Sequence, residues 1–492
     1  MRFCWFLSLA SFSSVSLAAT AADWRGKSIY QVFTDRFSLT STGSTDACDV
    51  TKNEYCGGTW KGVQSRLDYI QGMGFTAIWI SPITLQVPGG YHGYYQTDLY
   101  HLNDHFGTAD DLKSLAADLK SRGMYLMVDV VPNHMGWPGC PDTVDFSQLH
   151  PFNDASYYHP YCPLNNYDNQ TEAEVCWLGD CNTEMPDLKT EDATVAAGMQ
   201  DWIKSLVSNY SIDGLRMDSV KDVNKDFFPG FCSAAGVFCM GEVADGRADY
   251  AYAYQDYMDS ILDYPMYFSI NRTFQQQSDM SDLKYNLELS KNGGTGGSKD
   301  NTLLGTFIEN HDNPRFPWST DDMSLVKNAI AFTILSDGIP IIYQGQEQHL
   351  AGADDPGCRE AIWPTGYNTS TPLYGHIAYI NQMRNFAQSQ SSSYLTYKNW
   401  VTNYTADTIM MRKDIVRTIL TNQGESGGSY SLTTEGMGFE SGETVVEVFT
   451  CDKYTADTNG EVKVQMSGGL PRVLFSESIL LEGFGMCVLS SR

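Results

Sequence analysis

The chain has 492 residues, 42% of them hydrophobic, and a formal charge of −27. That length exceeds one ordinary domain and accommodates a large α/β barrel with a further module, while the apolar content supports a packed core over disorder. The acidic balance argues against nucleic acid, whose phosphates need clustered Lys and Arg, and suits a secreted protein acting on neutral substrates.

Residues 1–22 read as a secretory signal: Arg2, the apolar run "FCWFLSLASF", then the small residues of "SLAATAA". No later stretch is long and apolar enough to span a membrane, and the end, "GFGMCVLSSR", signals no lipid anchor. The expectation is therefore a secreted, extracellular monomer. Oxidising surroundings favour disulfides. Cys48 with Cys56 and Cys162 with Cys176 bracket short loops, and Cys451 and Cys487 share the last module. The pairing of Cys140, Cys181, Cys232, Cys239 and Cys358 stays open, with at least one left over. Sequons stand at Asn169, Asn209, Asn271, Asn368 and Asn403, with Asn209 taken as the glycosylation candidate.

From about Ser28 to Phe386, short apolar runs alternate with helical patterns. The runs are "SIYQVF", "AIWIS", "LMVDVV", "GLRMD", "VFCMGEV", "ILDYP", "LLGTFIENHD" and "IPIIYQGQE". Such runs suit strands buried on both faces. Among the helices, "TADDLKSLAADLKSRG" is the clearest: Thr108 and Asp111 have capping-box spacing, Leu112, Leu115 and Leu119 share a face, and Gly123 stops it. Eight strands alternating with helices predict a (β/α)₈ TIM barrel. A doubly wound sheet lacks its Gly-rich phosphate turn here. The interval between the third and fourth strands is too long for a bare loop. It predicts an inserted subdomain at 134–187, for which Cys162–Cys176 and Cys140–Cys181 are candidate staples. The barrel then comprises 23–133 and 188–390. Residues 391–492, where "TIMMRK", "IVRTILTN", "YSLTT" and "TVVEVFTC" alternate at strand period, form a C-terminal antiparallel β-sandwich domain.

Functional groups of such barrels sit at the C-terminal strand ends. Asp218, Glu242 and Asp312 fall there. Three convergent buried acids are costly and point to an active site. Two carboxyls about 5 Å apart permit glycoside cleavage with retention: one attacks the anomeric carbon, the other protonates the leaving oxygen. Arg216 would keep Asp218 ionised by lowering its pKa, and the apolar setting of Glu242 after Phe238 and Met240 would keep it protonated.

"DVVPNH" (129–134), "GLRMDSVKD" (214–222), "GEV" (241–243) and "FIENHDN" (307–313) together resemble the four short regions of the α-amylase family of glycoside hydrolases, in particular its fungal secreted members. The likeness runs from about Asp23 to the C-terminus. It implies Asp218 as nucleophile, Glu242 as general acid/base and Asp312 as transition-state stabiliser, with starch and malto-oligosaccharides as substrates. It also implies that Arg216 orients Asp218, that His134 and His311 bond sugar hydroxyls, that Tyr94 stacks on the ring, and that Asp355 and Arg359 hold its far hydroxyls. Lys221 joins this set on the acceptor side. A Ca²⁺ site is implied at Asn133, Glu174, Asp187 and the backbone carbonyl of Asp222. Two positions depart from the fungal pattern: Asp222 stands where histidine is usual and Tyr95 where tryptophan is. Asp222 keeps a second reading open, a 4-α-glucanotransferase passing the glucosyl group to another sugar. A catalytically dead glucan-binding relative is disfavoured by the three retained acids.

Overall fold

The computed structural model describes residues 19–40, 47–293, 296–480 and 486–487. The leader assigned to 1–22 lies almost wholly outside them. Eight parallel strands form the central sheet: β1 (Ile29–Val32), β2 (Ala77–Ile80), β3 (Tyr125–Val130), β4 (Gly214–Met217), β5 (Phe238–Gly241), β6 (Ser260–Ile261), β7 (Gly305–Thr306) and β8 (Ile339–Tyr343). Their order is β6-β5-β4-β3-β2-β1-β8-β7. A parallel bridge between Leu262 and Gly305, with the Asp263 amide donating to the Gly305 carbonyl at 2.9 Å, closes the ring. Nearly every strand residue is buried, which is why each reads as a continuous apolar run. Gly305 leaves no room for a side chain inside the barrel; a Cβ there would meet Met240 Sδ at 2.8 Å and Ile341 Cδ1 at 3.0 Å.

Two expected strands prove short. "ILDYP" supplies only β6, because Asp263 caps the helix Tyr264–Phe274, accepting from the Met266 amide at 3.2 Å, and Pro265 occupies its first turn. "LLGTFIENHD" supplies only β7; the residues after Thr306 are buried but leave the ladder. The helix Ala109–Ser121 carries the expected capping box, buries Leu112, Leu115 and Leu119, and ends before Gly123 at φ +71.

Between β2 and β3 a hairpin, Thr84–Gln86 paired with Gln96–Leu102, extends over the barrel mouth. Between β3 and β4 lie the hairpin Leu178–Asp180/Thr183–Met185, the helix Gln170–Ala173, and the disulfides Cys140–Cys181 and Cys162–Cys176. Gln96 ties both insertions to β3, its amide donating to the carbonyls of Val131 (2.6 Å) and His134 (2.8 Å). Gly136 passes so close that a Cβ would lie 2.6 Å from the Tyr95 main chain. Cys48–Cys56 and Cys451–Cys487 complete the pairs, leaving Cys232, Cys239 and Cys358 free among the described residues.

The C-terminal strands are β9 (Trp400–Tyr404), β10 (Thr408–Lys413), β11 (Val416–Thr421), β12 (Ser429–Thr433), β13 (Thr444–Glu447), β14 (Lys453–Thr455), β15 (Lys463–Ser467) and β16 (Arg472–Ser476). Six of them form an antiparallel sheet, β9-β10-β11-β16-β13-β14, and β12 pairs with β15. Against the barrel, buried Lys413 pairs with Asp337, which also accepts from Asn301 Nδ2 at 2.8 Å and the Asn399 amide at 2.9 Å. Among the described residues no helix is long and apolar enough to cross a membrane.

Candidate active site

The acid that follows β4, Asp218, is held in place by the neighbouring strands. The Asp218 amide continues the ladder to the Val130 carbonyl (2.9 Å), and the Glu242 amide to the Met217 carbonyl (2.8 Å). Ser219 then turns left-handed, at φ +50. That strained turn lets one residue hold both acids: its hydroxyl donates to Asp218 Oδ2 (2.8 Å) and its amide to Glu242 Oε2 (3.2 Å).

Arg216 lies beneath them, 1% exposed. Nη1 donates to Asp218 Oδ1 at 2.7 Å, and Nη2 pairs with Glu242 Oε1 at 2.8 Å. Nη1 also meets Asp129, at 2.9 Å to Oδ1. Two carboxyls bound by neighbouring nitrogens of one guanidinium must lie close together, as a retaining glycosidase requires. Asp129 was not singled out from the sequence. Parallel pairing of β3 with β4 puts it directly beside Arg216, and Tyr94 Oη (2.8 Å) and Trp79 Nε1 (3.2 Å) complete its bonds. The available signal was an acid inside the apolar run "LMVDVV".

One cation thus faces three acids. Burial is the largest influence on Asp218 and pushes its carboxyl well up; Arg216 pulls it down, while Glu242 and Asp129 push it up again. This corrects the expectation that Arg216 keeps Asp218 low in the free protein: its pull is outweighed by desolvation and by the acids it also serves. Asp129 is likewise raised, to about 6, by burial.

Tyr264, also missed, donates from Oη to Glu242 Oε1 at 3.2 Å and accepts from Asn310 Nδ2 at 3.0 Å. Asn310 Oδ1 in turn accepts the Asp312 amide at 3.1 Å, linking the third acid to the second. Asp312 is the most open of the three, its side chain 36% exposed; Arg359 Nη2 lies 3.2 Å from Oδ1 and His311 Nε2 3.3 Å from Oδ2. Arg359 also pairs with Asp355 at 2.9 Å. His311 is clamped between Gln31 Nε2 (2.8 Å) and Tyr94 Oη (2.6 Å). Burial lowers the pKa of His311, and that of His134 to about 4, so both rings are neutral.

A cleft of about 400 Å³ opens over these groups, lined by Asp218, Glu242, Asp312, Tyr94, Tyr95, His134, Asp355 and Arg359, with His92 and Met185 among the rest. Arg216 and His311 lie beneath it, buried. Lys221 is not among the lining residues; its ammonium lies 5.4 Å over the Tyr167 ring.

The other predicted positions meet at the junction of the insertion with the barrel. His134 bridges to Asp187, and the Leu188 amide donates to the Asn133 carbonyl at 2.9 Å. Gln170 Nε2 donates both to Glu174 Oε1 (2.6 Å) and to the Lys221 carbonyl (3.0 Å), beside Asp222. Among the described residues no three His, Cys, Asp or Glu side chains form a ready metal cluster. Yet Oδ1 of both Asp187 and Asp222 is buried without a hydrogen-bond partner. Burial raises Asp187 to about 8 and Asp222 to about 7. Orphaned carboxylate oxygens with an amide and carbonyls around them fit a hard cation such as Ca²⁺.

A (β/α)₈ barrel whose mouth gathers three carboxylates in one cleft has the architecture of a barrel glycosidase. The family profile "Alpha amylase, catalytic domain" matches residues 31–416, and "Alpha-amylase, domain C" matches 403–492. Alpha-amylase 1 of Lipomyces kononenkoae is 49% identical over 492 residues, covering 98% of this chain and 78% of that protein. Alpha-amylase 2 of Schwanniomyces occidentalis is 45% identical, covering 96% and 94%. The solved α-amylase of Malbranchea cinnamomea superposes with a TM-score of 0.92 at 48% identity, over 95% of this chain and all of that one. The chain belongs to the α-amylase family and is a glycoside hydrolase of the α-amylase type.

Proposed function

We propose that the protein is a secreted, endo-acting α-amylase that hydrolyses internal α-1,4 bonds of starch, glycogen and malto-oligosaccharides with retention. The observation that carries this reading is the single Arg216 guanidinium bonded at once to Asp218 and Glu242 under an open cleft. Asp218 attacks the anomeric carbon while Glu242 gives its proton to the departing glycosidic oxygen. The covalent glucosyl ester is then opened by water that Glu242 deprotonates, and two inversions leave the α-anomer. Asp312 faces the oxocarbenium charge from across the cleft. Tyr94 supplies an apolar face to the ring. His134, His311, Asp355 and Arg359 offer donors and acceptors to its hydroxyls, and Lys221 serves the acceptor side. Asn133, Glu174, Asp187 and the Asp222 carbonyl would hold Ca²⁺, whose contribution is to fix the insertion against the barrel. Asn209, exposed on the last turn of the helix Ala193–Tyr210, is accessible for glycosylation.

The test is digestion of soluble starch followed by proton NMR and product sizing. The reading requires α-configured reducing ends and a fall in polymer length well before small sugars accumulate. First-formed β-anomers would overturn retention. Products longer than a maltopentaose substrate would favour the glucanotransferase reading.

A further inference from the structure

Asp312 stands on no strand. The chain leaves the ladder after Thr306, and the loop 307–315 carries the acid to the mouth. Its partner Arg359 stands on a second loop, after β8. A carboxylate that must meet developing charge at a fixed distance therefore depends on how firmly these two loops are joined. Two arginines join them, in opposite directions. Arg359, which lines the cleft, donates from Nε to the His311 carbonyl at 2.8 Å. The other, Arg315, is fully buried and does not line the cleft. Its amide donates to the Gly352 carbonyl at 3.0 Å. Its Nε donates to Glu360 Oε2 at 2.6 Å, and its Nη1 to Glu309 Oε2 at 3.2 Å and to the Gln344 carbonyl at 2.9 Å. Glu309 lies three residues before Asp312, and Glu360 directly follows Arg359. One guanidinium thus holds both loops together and pins them to the end of β8. It packs 4.5 Å from the centre of the Tyr343 ring, and Gly345 passes so close that a Cβ would sit 3.1 Å from Nη2. A brace needing only bulk would be served as well by apolar side chains, whereas a planar fork bonded to both acids fixes direction as well as contact.

We infer that Arg315 is a positioning residue for the reaction: without touching the sugar, it sets where Asp312 meets the transition state by locking the loop of Asp312 to the loop of Arg359. The inference rests on the role proposed above for Asp312. A lysine at 315 keeps the charge, but its point-like ammonium cannot reproduce the fork that spans Glu309 and Glu360. With that lock loosened, Asp312 loses its placement against the oxocarbenium charge, while Tyr94 and His134, on other elements, still hold the bound sugar. Loss of an interaction made only in the transition state lowers kcat and leaves KM nearly unchanged.

The experiment is a double-mutant cycle in the full-length protein. Arg315→Lys, Glu360→Gln and Asp312→Asn are made singly, and each of the first two is combined with the third. Initial rates are read on a malto-oligosaccharide with an aryl leaving group, well below the Tm of every variant. Arg315→Lys is expected to lower kcat about tenfold and Glu360→Gln about threefold, with KM within about a factor of two for each. In the Asp312→Asn background the same changes are expected to cost less than about a factor of two, because the group they place is already gone. Glu360→Gln, which removes one charge from one loop, carries the test if Arg315→Lys does not fold. A kcat unchanged in the folded variants overturns the inference. So does a loss of equal size with and without Asp312, since a brace that only stabilises the fold acts independently of that acid. An Asp312→Asn variant with the wild-type kcat overturns the role given to Asp312 itself, and a loss of about a hundredfold or more upholds it.

Discussion

Neutralising Asp129 perturbs the site without touching any group assigned to contact the sugar's reacting atoms. Asp129→Asn preserves shape but leaves Arg216 serving two acids. Asp129 and Asp218 both bind Arg216 Nη1, at 2.9 and 2.7 Å. Their charges therefore lie about 5 Å apart; at an effective dielectric of about 20 they interact by about 3 kcal/mol, or about two pH units. Burial raises the Asp129 carboxyl to about 6, so this repulsion is present where Asp129 is ionised and fades below that pH. The sign follows: Asp129 raises Asp218, so its removal lets Asp218 ionise at lower pH. The acid limb of kcat/KM, expected to follow ionisation of Asp218, should move to lower pH. The variant is also expected to lose about 2 kcal/mol of stability, because Tyr94, Trp79 and Arg216 each exchange a charged acceptor for a neutral one. Initial rates on a soluble malto-oligosaccharide from pH 3 to 8, with melting curves at each pH, read both effects. An acid limb that stays put or moves up would refute the charge-sharing argument.

Three further outcomes follow from the same geometry. Tyr264→Phe removes the hydroxyl bonded to Glu242 and should lower kcat about tenfold with little change in KM; a change confined to KM would contradict it. Lys413→Met strands buried Asp337 at the junction of barrel and C-terminal sheet and should cost about 3–5 kcal/mol in denaturant unfolding; a cost under about 1 kcal/mol would count against that pair. His376 is held neutral, its Nε2 bonded to the Lys327 carbonyl at 2.9 Å and its pKa pushed down to about 4 by burial. A depressed base contributes stability present above the unfolded value near 6.5 and lost as pH falls toward 4, here about 3 kcal/mol. His376→Gln should therefore melt with a shallower pH dependence across that window, and parallel slopes would rule the linkage out.

The barrel was readable because strands buried on both faces leave unbroken apolar runs, and the three acids because they close such runs. The length of β6 was overread: in "ILDYP" the capping Asp263 and the helix-starting Pro265 were visible, but the apolar run hid them. Four C-terminal strands, β9, β14, β15 and β16, were passed over. β15 alternates exposed and buried residues at period two and could have been found, whereas β16 is buried throughout and shows no such alternation. Asp129 could not be tied to Arg216 locally, since 87 residues separate them and only the register of β3 against β4 brings them together. The same holds for Ser219, whose left-handed turn is a product of the ladder on both sides, and for Tyr264, which reaches Glu242 from the start of the next helix.

The most direct measurement is to trap the covalent intermediate. Inactivation with a 5-fluoro-α-glucosyl fluoride, or its maltosyl homologue, followed by proteolysis and mass spectrometry, locates the esterified carboxylate. The account predicts a single glycosyl adduct on the peptide containing Asp218, absent from Asp218→Asn. An adduct on Glu242 or Asp312 instead would contradict it.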